Sequence, residues 1–273
     1  MPTPSQTVAH LSRPRKVLPP TAQNGEHDIQ FFCICIICNG GRISNVIDLY
    51  FWATPNGYKP LIFLEEAEMP YELKLVNIMK GEQFDPDFLA IAPNNRMPAI
   101  VDHSPLEGRE QISVFESGAI LLYLAEKTNK FMPDFLSGRY DAIQWLMWQM
   151  GGLGPMAGQA NHFVTYAPED VPYGKKRYVN ETERLMGVLD KRLADREFVA
   201  ETYSVADMAI YPWAKGVDSV GIDWQNKFSN VANWVNRIAE RPAVKKAYEI
   251  GDRTKGNGKL DDEARKNLFG DNK

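Results

Sequence analysis

Cysteine is scarce in this chain of 273 residues. It occurs three times, at Cys33, Cys35 and Cys38, and nowhere else in the sequence. Three cysteines so close together cannot provide a disulfide framework for the rest of the fold, and proteins without such a framework are typical of reducing compartments. We therefore predict a cytoplasmic protein.

Long apolar segments and an excess of basic residues are also missing. The longest apolar stretch, residues 31–37, is far shorter than the roughly 20 residues that a membrane-spanning helix needs. The 31 lysine and arginine residues are outnumbered by 35 aspartate and glutamate residues, which gives a net charge of −4. A nucleic-acid binder normally carries the opposite balance. The composition therefore predicts neither a membrane anchor nor a nucleic-acid partner.

Residue spacings typical of metal sites are absent as well. The four histidines are far apart, and none belongs to an HExxH pattern. The cysteines form a Cys-x-Cys-x-x-Cys pattern, but a tetrahedral metal site needs a fourth ligand, and none lies nearby. We predict no metal. The apolar segment around the cysteines has three other interpretations: an extra strand, a redox site, or translated sequence outside the mature protein.

The two ends of the chain differ in composition from its middle. Residues 1–46 contain five prolines and scattered polar residues, which predicts a disordered or loosely structured extension. A basic cluster at 13–16 weakly resembles a transit peptide, but the prolines oppose the amphipathic helix that such peptides form. Half of the residues from 252 to 273 are charged, so we predict a charged, solvated tail at 251–273.

Between these ends, the first half of the sequence alternates strand-like and helix-like patterns. The predicted order is β-α-β-α-β-β-α, with strands at 46–52, 71–75, 99–102 and 112–115 and helices at 59–68, 85–91 and 117–128. The first three elements form a βαβ unit with a right-handed crossover, and the last two strands form a hairpin. A small mixed sheet covered by helices is the arrangement of a thioredoxin-like domain, which we place at residues 47–130.

The second half shows helical periodicity and no dominant strand pattern. Predicted helices occupy 140–150, 173–193, 204–216, 231–240 and 243–250. Ser204 and Asp207 have the spacing of a capping box, to which we assign a structural role. Four tryptophans at helical spacing are expected in the core: Trp145, Trp148, Trp213 and Trp234. Trp148 and His162 are also candidates for the border of a substrate pocket. We predict an all-α domain at residues 137–250.

Three short segments lie next to predicted strand ends: Thr54-Pro55-Asn56, Met97-Pro98 and Glu116-Ser117. Thr54 and Asn56 precede a helix, where backbone N–H groups and the positive helix end favour an anion such as a thiolate. A hydroxyl or amide donor there would lower the pKa of a thiol. The alternative is that Thr54 and Asn56 only cap the helix. Ser117 likewise can cap the helix that follows it, hold a carboxylate, or do both.

Five segments of the sequence agree in order and spacing with one known family: residues 48–57, 81–84, 93–102, 115–124 and 151–156. In these segments the chain resembles the nu class of the glutathione transferases. That branch contains bacterial disulfide-bond oxidoreductases, and its fungal relatives include the yeast nitrogen-catabolite regulator. The resemblance spans residues 47–250. It implies a thioredoxin-like α/β domain followed by an all-α domain, the same fold class that the element pattern predicts.

The resemblance also implies glutathione as the co-substrate and a set of residues that bind it. Thr54 and Asn56 would contact the glutathione sulfur. Met97, before a cis-proline at Pro98, would pair with the cysteinyl backbone. The other binding residues that the resemblance implies are Gln83, Arg177 and, at the γ-glutamyl end, Glu116 and Ser117.

Residues 47–273 contain no cysteine, which restricts the mechanism. Neither a mixed disulfide with a protein cysteine nor a Cys-x-x-Cys mechanism can operate there. We therefore predict a glutathione-dependent disulfide-bond oxidoreductase that uses the thiolate of bound glutathione on small-molecule or peptide disulfides. Conjugation of glutathione to electrophiles and a non-enzymatic regulatory role are the alternatives. The resemblance further implies a homodimer in which Arg177 reaches the glutathione of the partner chain.

Overall fold

The computed structural model describes residues 47–106, 108, 110–254 and 261–270. The extension predicted at 1–46, with its three cysteines, lies outside these residues. All of the described residues belong to one compact unit, Ser44–Lys273. None of the helices they form has both the length and the apolar composition needed to cross a membrane.

A four-stranded mixed sheet forms the centre of the first half. Its strands are β1 (Ile47–Phe51), β2 (Tyr71–Leu75), β3 (Ala99–Asp102) and β4 (Ile112–Phe115), in the spatial order β2-β1-β3-β4. β1 pairs with β2 in parallel and with β3 in antiparallel orientation, and β3 and β4 form an antiparallel hairpin. The sheet confirms the predicted βαβ unit, the hairpin and the thioredoxin-like arrangement.

Helices flank the sheet and make up the second half. The first three are α1 (Pro55–Ala67), α2 (Pro86–Ile91) and α3 (Ser117–Thr128). The others are α4 (Leu136–Trp148), α5 (Gly154–Asn161), α6 (Pro172–Arg192), α7 (Val205–Lys215), α8 (Trp224–Lys227), α9 (Ser229–Ala239), α10 (Pro242–Thr254) and α11 (Asp262–Phe269). Two π-helical turns, Gln149–Leu153 and His162–Tyr166, flank α5. The helical second half confirms the predicted fold class.

One hydrophobic core joins the two halves. Ile47, Leu49 and Phe51 of β1 are fully buried. They belong to the same core as Leu61 of α1 and Ile210 of α7. Because α1 packs against α3, α7 and α10, it lies between the sheet and the helical half and connects them.

α1 begins four residues before the predicted position, at Pro55. A proline is favourable in a first helical turn because the N–H that it lacks would have no partner there. The Thr54 hydroxyl caps the helix and accepts from the N–H of Gly57 at 3.2 Å. Gly57 is required because a Cβ at this position would stand 2.1 Å from the carbonyl oxygen of Trp52. The first turn of α1 therefore lies close to the end of β1.

The predicted capping box at the start of α7 is present. The carboxylate of Asp207 is fully buried and accepts from the N–H of Ser204 at 3.0 Å. It also accepts from the N–H of Val199 and from Trp234 Nε1, both at 2.9 Å. Burial raises the pKa of Asp207 to about 6, although these hydrogen bonds act in the opposite direction. Trp234 is buried, which confirms its predicted place in the core.

The end of the chain differs from the solvated tail expected there. α10 continues to Thr254, and α11 follows it at Asp262–Phe269. Asp261 caps α11 by accepting from the N–H of Ala264 at 2.8 Å. Ala264 is the buried residue of this helix. One buried position gives no apolar periodicity, so the sequence pattern did not reveal α11.

Candidate active site

A cavity of about 760 Å³ lies where the sheet domain meets the helical half. Seven of the eight site residues predicted from the sequence line it: Thr54, Asn56, Gln83, Met97, Pro98, Glu116 and Ser117. The eighth, Arg177, is exposed on α6 and is not part of the cavity wall. The helical half contributes Met150, Gln159, His162 and Trp213 to the wall, and α11 contributes Leu268 and Phe269.

The Thr54 hydroxyl can both accept and donate hydrogen bonds, and capping of α1 uses it only as an acceptor. Its oxygen accepts from the N–H of Gly57, so its own hydrogen remains to be donated. That hydrogen is directed at a sulfur atom, Met97 Sδ, which lies 3.8 Å from Thr54 Oγ1. Thr54 therefore caps α1 and still offers a donor at the cavity. The capping role does not exclude a role in binding an anion.

Asn56 is oriented by a tryptophan from the helical half. Trp213 Nε1, which can only donate, makes a 2.9 Å hydrogen bond to Asn56 Oδ1. This contact fixes the orientation of the amide, because it assigns the oxygen to the side of Trp213 and leaves the NH₂ group as a donor. Trp213 is half-buried and lines the cavity, so it is more than the core residue predicted from its spacing.

The loop before β3 forms another part of the wall. The peptide bond between Met97 and Pro98 is cis, as the resemblance implies. Asn94, Asn95 and Arg96 precede it and also line the cavity. The loop therefore brings two amides and one guanidinium group to the wall.

The turn between β4 and α3 corrects one prediction. α3 begins at Ser117, and Glu116 holds the cap position without a side-chain hydrogen bond to the helix. Ser117 therefore does not cap α3. Glu116 has φ 70° and ψ 115°, values that residues other than glycine rarely adopt. Its exposed carboxylate lines the cavity beside Ser117.

Beneath Ser117 lies a lysine that is not among the residues predicted from the sequence. Lys59 of α1 is fully buried. Its ammonium donates to Ser117 Oγ at 3.1 Å, to Gln149 Oε1 at 2.5 Å and to Met150 Sδ at 3.4 Å. Burial lowers the pKa of Lys59 to about 7. The sequence contained a signal, because Lys59 is the one charged residue in the otherwise apolar segment 58–64.

Gln83 connects the cavity to α11. Its side chain is 1% exposed, and its Nε2 donates to the carbonyl oxygen of Asn267 at 3.2 Å. Within the described part of the chain, Gln83 Oε1 has no hydrogen-bond partner. Asn267 donates in turn to the carbonyl oxygen of Met79 at 2.9 Å. A buried acceptor without a donor is unusual, and this one belongs to a residue that lines the cavity.

Aromatic side chains close the same side of the cavity. The ring of Phe269 lies 5.1 Å from that of His162 and 5.0 Å from that of Tyr166, measured between centroids. Arg265 donates to the carbonyl oxygen of Tyr166 at 3.0 Å. His162 thus borders the cavity, as predicted, whereas Trp148 is not part of its wall. The contacts of α11 span both halves of the molecule.

The polar groups of the cavity come from different elements. Thr54 and Asn56 offer neutral donors at the start of α1, and Glu116 offers a carboxylate beside the N-terminus of α3. Such a set suits a molecule that carries an ionisable group and a separate charged ammonium group. Across the residues described, no group of three or more His, Cys, Asp or Glu side chains is arranged to hold a metal ion.

Comparison with known proteins gives matches in both halves of the chain. Residues 45–126 match the model of the glutathione S-transferase N-terminal domain, and residues 159–242 match the model of the C-terminal domain. The disulfide-bond oxidoreductase YfcG of Escherichia coli (strain K12) is 51% identical over 211 residues. The match covers 76% of this chain and 98% of YfcG.

Solved structures show the same similarity. A glutathione transferase from Pseudomonas putida, with one glutathione disulfide bound per subunit, is 40% identical with a TM-score of 0.72. The match covers 77% of this chain and 94% of that one. A glutathione transferase from Burkholderia graminis, with two glutathione molecules bound per subunit, is 40% identical with a TM-score of 0.73. It covers 78% of this chain and 92% of its own.

Proposed function

Since the chain belongs to the glutathione S-transferase family, we propose that it is a nu-class, glutathione-dependent disulfide-bond oxidoreductase. The observation that carries the proposal is the Thr54 side chain, whose oxygen caps α1 and whose hydrogen is directed at a sulfur atom. Residues 47–273 contain no cysteine, so in this part of the chain the reacting sulfur comes from glutathione. The similarity to YfcG, a disulfide-bond oxidoreductase, supports the same chemistry.

The sulfur of glutathione is proposed to lie at Thr54 and Asn56. The Thr54 hydroxyl and the Asn56 NH₂ group are both donors, and hydrogen bonds from donors favour a thiolate over a thiol. The cysteinyl backbone would then lie along the loop at Met97 and Pro98, which lines the same cavity.

The γ-glutamyl group is proposed to lie at the start of α3. Its ammonium pairs with the carboxylate of Glu116, and its α-carboxylate accepts from the N–H and hydroxyl groups of Ser117. Gln83 Oε1, which lacks a donor among the described residues, accepts from the same region of the ligand. The ammonium and the α-carboxylate of the ligand thus each contact a protein group that complements their charge.

The proposed reaction consumes two glutathione molecules for each disulfide. The thiolate of the first attacks one sulfur of the substrate RSSR, forms the mixed disulfide GSSR and releases RS⁻, which takes up the proton that the thiol lost. The thiolate of the second attacks the glutathione sulfur of GSSR. This step forms glutathione disulfide and releases the second RS⁻, which is also protonated. Glutathione is oxidised and the substrate is reduced, with no protein atom changed.

The contents of similar structures support a site for more than one glutathione molecule. The cavity volume of about 760 Å³ lies within the roughly 300–1,000 Å³ range of ligand pockets. The similar structures from P. putida and B. graminis hold glutathione disulfide and two glutathione molecules, respectively. Both contents correspond to states of the proposed reaction.

We also propose a homodimer in which the thioredoxin-like domain of one chain, at 47–130, meets the helical domain of the other, at 137–250. Exposed apolar side chains on both domains support such an interface, among them Phe115 on β4 and Leu136 on α4. In this dimer Arg177 would approach the glutathione of the partner chain. Its exposure outside the cavity of its own chain agrees with that role.

Replacement of Thr54 tests the proposed chemistry. In Thr54→Ala the thiolate loses one donor, and we expect the rate of disulfide reduction to fall about tenfold to a thousandfold. Thr54→Ser is the matched control, because its hydroxyl can still cap α1 and donate, and its rate should stay close to that of the parent. Glutathione-dependent reduction of a small dialkyl disulfide and conjugation of a chlorinated nitrobenzene are measured on the same preparations.

The two assays separate the candidate functions. Reduction should be faster than conjugation in the parent protein. Full reductase activity in Thr54→Ala, with unchanged affinity for glutathione, would show that the hydroxyl does not activate the thiol. Conjugation faster than reduction would identify a conjugating transferase, and absence of both reactions would favour a regulatory role.

A further inference from the structure

The ammonium group of Lys59 has an unusual environment for a buried cation. The side chain is 0% exposed, yet within the described ranges no carboxylate forms an ion pair with it. Its three hydrogen-bond partners, on Ser117, Gln149 and Met150, are neutral groups. A buried charge is costly unless an opposite charge balances it. The Glu116 carboxylate acts on Lys59 from a distance, but no negative charge among the described residues is in direct contact with the ammonium.

A molecule bound in the cavity can bring a negative charge close to Lys59. Ser117 and Met150 contact Lys59 and also line the cavity, so one layer of side chains separates Lys59 Nζ from a bound molecule. The N-terminus of α3 begins at Ser117 and adds partial positive charge at the same point. Both positive features favour an anion in the cavity next to Ser117.

The hydrogen bond from Lys59 also sets the direction of the Ser117 hydroxyl. Because Ser117 Oγ accepts from Lys59 Nζ, its own hydrogen must be donated elsewhere. The acceptor available in the protein is the thioether of Met150, at 3.6 Å, and a thioether is a weak acceptor. A carboxylate in the cavity is a much stronger one. Lys59 thus keeps the Ser117 hydroxyl available as a donor.

We propose that Lys59 is a positioning residue that orients Ser117 and balances the charge of the α-carboxylate of bound glutathione. The inference rests on the proposed function and deepens it. Glu116 pairs with the ammonium of the γ-glutamyl group, whereas Lys59 acts on the carboxylate through Ser117 without touching it. This role lies at the end of glutathione that is remote from the sulfur. It concerns binding and not activation of the thiol.

Binding of S-methylglutathione, which has no thiol to ionise, isolates this end of the ligand. Calorimetric titration compares it with two analogues of the same compound. One carries 4-aminobutanoyl in place of γ-glutamyl and lacks the α-carboxylate, and the other carries glutaryl and lacks the ammonium. Each is titrated into the parent protein and into Lys59→Met, which has a side chain of similar length without the charge.

The expected result is selective for the carboxylate. Lys59→Met should bind S-methylglutathione and the glutaryl analogue about tenfold to a hundredfold more weakly than the parent does. Binding of the 4-aminobutanoyl analogue should change by less than about twofold, because no carboxylate is present to couple with the lysine. If Lys59→Met does not fold, Lys59→Gln serves in its place, since it also removes the charge, and the same pattern is expected.

The outcomes separate this inference from the proposed function. Equal weakening of all three ligands would show a general structural role, and unchanged binding of S-methylglutathione would show no role. Either result overturns the assignment of Lys59 while leaving the glutathione site intact. Failure of the parent protein to bind S-methylglutathione would overturn the proposed function and the inference together.

Discussion

The buried carboxylate at the start of α7 and the buried ammonium beneath the cavity differ in how fully the protein satisfies them. Asp207 accepts from two backbone N–H groups, from an indole N–H and from the Ser204 hydroxyl at 3.2 Å. Lys59 donates to a hydroxyl, an amide oxygen and a thioether. Among the described residues neither group forms an ion pair. The Asp207 site is complete because all four of its partners are N–H or O–H donors, whereas the Lys59 site is incomplete because one of its three acceptors is a thioether, a weak acceptor. Completeness without a ligand indicates a structural group, and incompleteness indicates a group arranged for binding.

Burial shifts the pKa of both groups toward the neutral form. It raises the pKa of Asp207 to about 6 and lowers the pKa of Lys59 to about 7. Hydrogen bonds oppose the shift at Asp207, and the charge of Glu116 opposes it at Lys59. At neutral pH, Asp207 is therefore mainly ionised, while Lys59 is close to its titration midpoint.

The largest effect is expected at the complete site. Asp207→Ala leaves the donors of Val199 and Trp234 buried without an acceptor, and the free energy of unfolding should fall by about 3–5 kcal/mol. The matched control is Asp223→Ala at the exposed cap of α8, where Asp223 accepts from the N–H of Asn226. Loss of that cap should cost about 1 kcal/mol. Urea denaturation measures both, and similar losses in the two variants would contradict the structural importance of Asp207.

A smaller effect of opposite sign is expected at the incomplete site. Without ligand, Lys59→Met removes a desolvated charge, so the variant should be about 1–4 kcal/mol more stable than the parent at pH 6. Between the folded pKa of about 7 and the ordinary value of 10.5, the unfolded chain holds more protons than the folded one. The stability contributed by Lys59 therefore rises with pH in this window, and the advantage of Lys59→Met shrinks.

Urea denaturation from pH 6 to pH 9 measures the difference in stability between Lys59→Met and the parent protein. Lys191→Met, at an exposed position on α6, controls for the loss of a lysine elsewhere. Its stability relative to the parent should not vary with pH in the same way. An advantage of Lys59→Met that stays constant over the whole range would mean that Lys59 does not titrate there.

The smallest effect is expected at Gln83. Its amide is only partly satisfied among the described residues, because Nε2 has a hydrogen-bond partner and Oε1 does not. A chain that ends at Thr254 lacks α11 and frees Gln83 Nε2, so the KM for glutathione should rise about twofold to tenfold. Phe269→Ala, which keeps the contact between Gln83 and Asn267, should change this KM less. Steady-state kinetics measures the KM for glutathione of both variants. An equal rise in both would show that the effect comes from the loss of Phe269 and not from the contact with Gln83.

For part of the fold, the sequence pattern predicted the correct first and last residues of each element. The observed bounds of β2 (Tyr71–Leu75), β3 (Ala99–Asp102), β4 (Ile112–Phe115) and α3 (Ser117–Thr128) equal the predicted ones. β2, β4 and α3 have a repeating apolar pattern that one element period explains, and β3 is a short run that is buried throughout. α1 began earlier than predicted because Pro-Asn-Gly is typical of a turn, and its helical start depends on the close approach of Gly57 to Trp52.

The residues of the cavity wall that belong to short motifs were predictable, as in Thr54-Pro55-Asn56, Met97-Pro98 and Glu116-Ser117. Contacts between partners that are distant in sequence were not predictable. Trp213 lies 157 residues from Asn56, and Asn267 lies 184 residues from Gln83. Lys59 follows the same rule, since its partner Gln149 is 90 residues away. No local pattern specifies such pairs, because they form only when the two halves pack together.

Directed evolution would act on Glu116 in two opposite ways. Its φ of 70° is a conformation that costs a residue other than glycine on the order of 1–3 kcal/mol. Glycine relieves that strain. A library selected for heat resistance alone therefore accumulates glycine at position 116 and loses the carboxylate from the cavity. A library selected for turnover retains both the carboxylate and the strain. Engineering of a more durable variant has to hold this position fixed and look for its gains elsewhere in the chain.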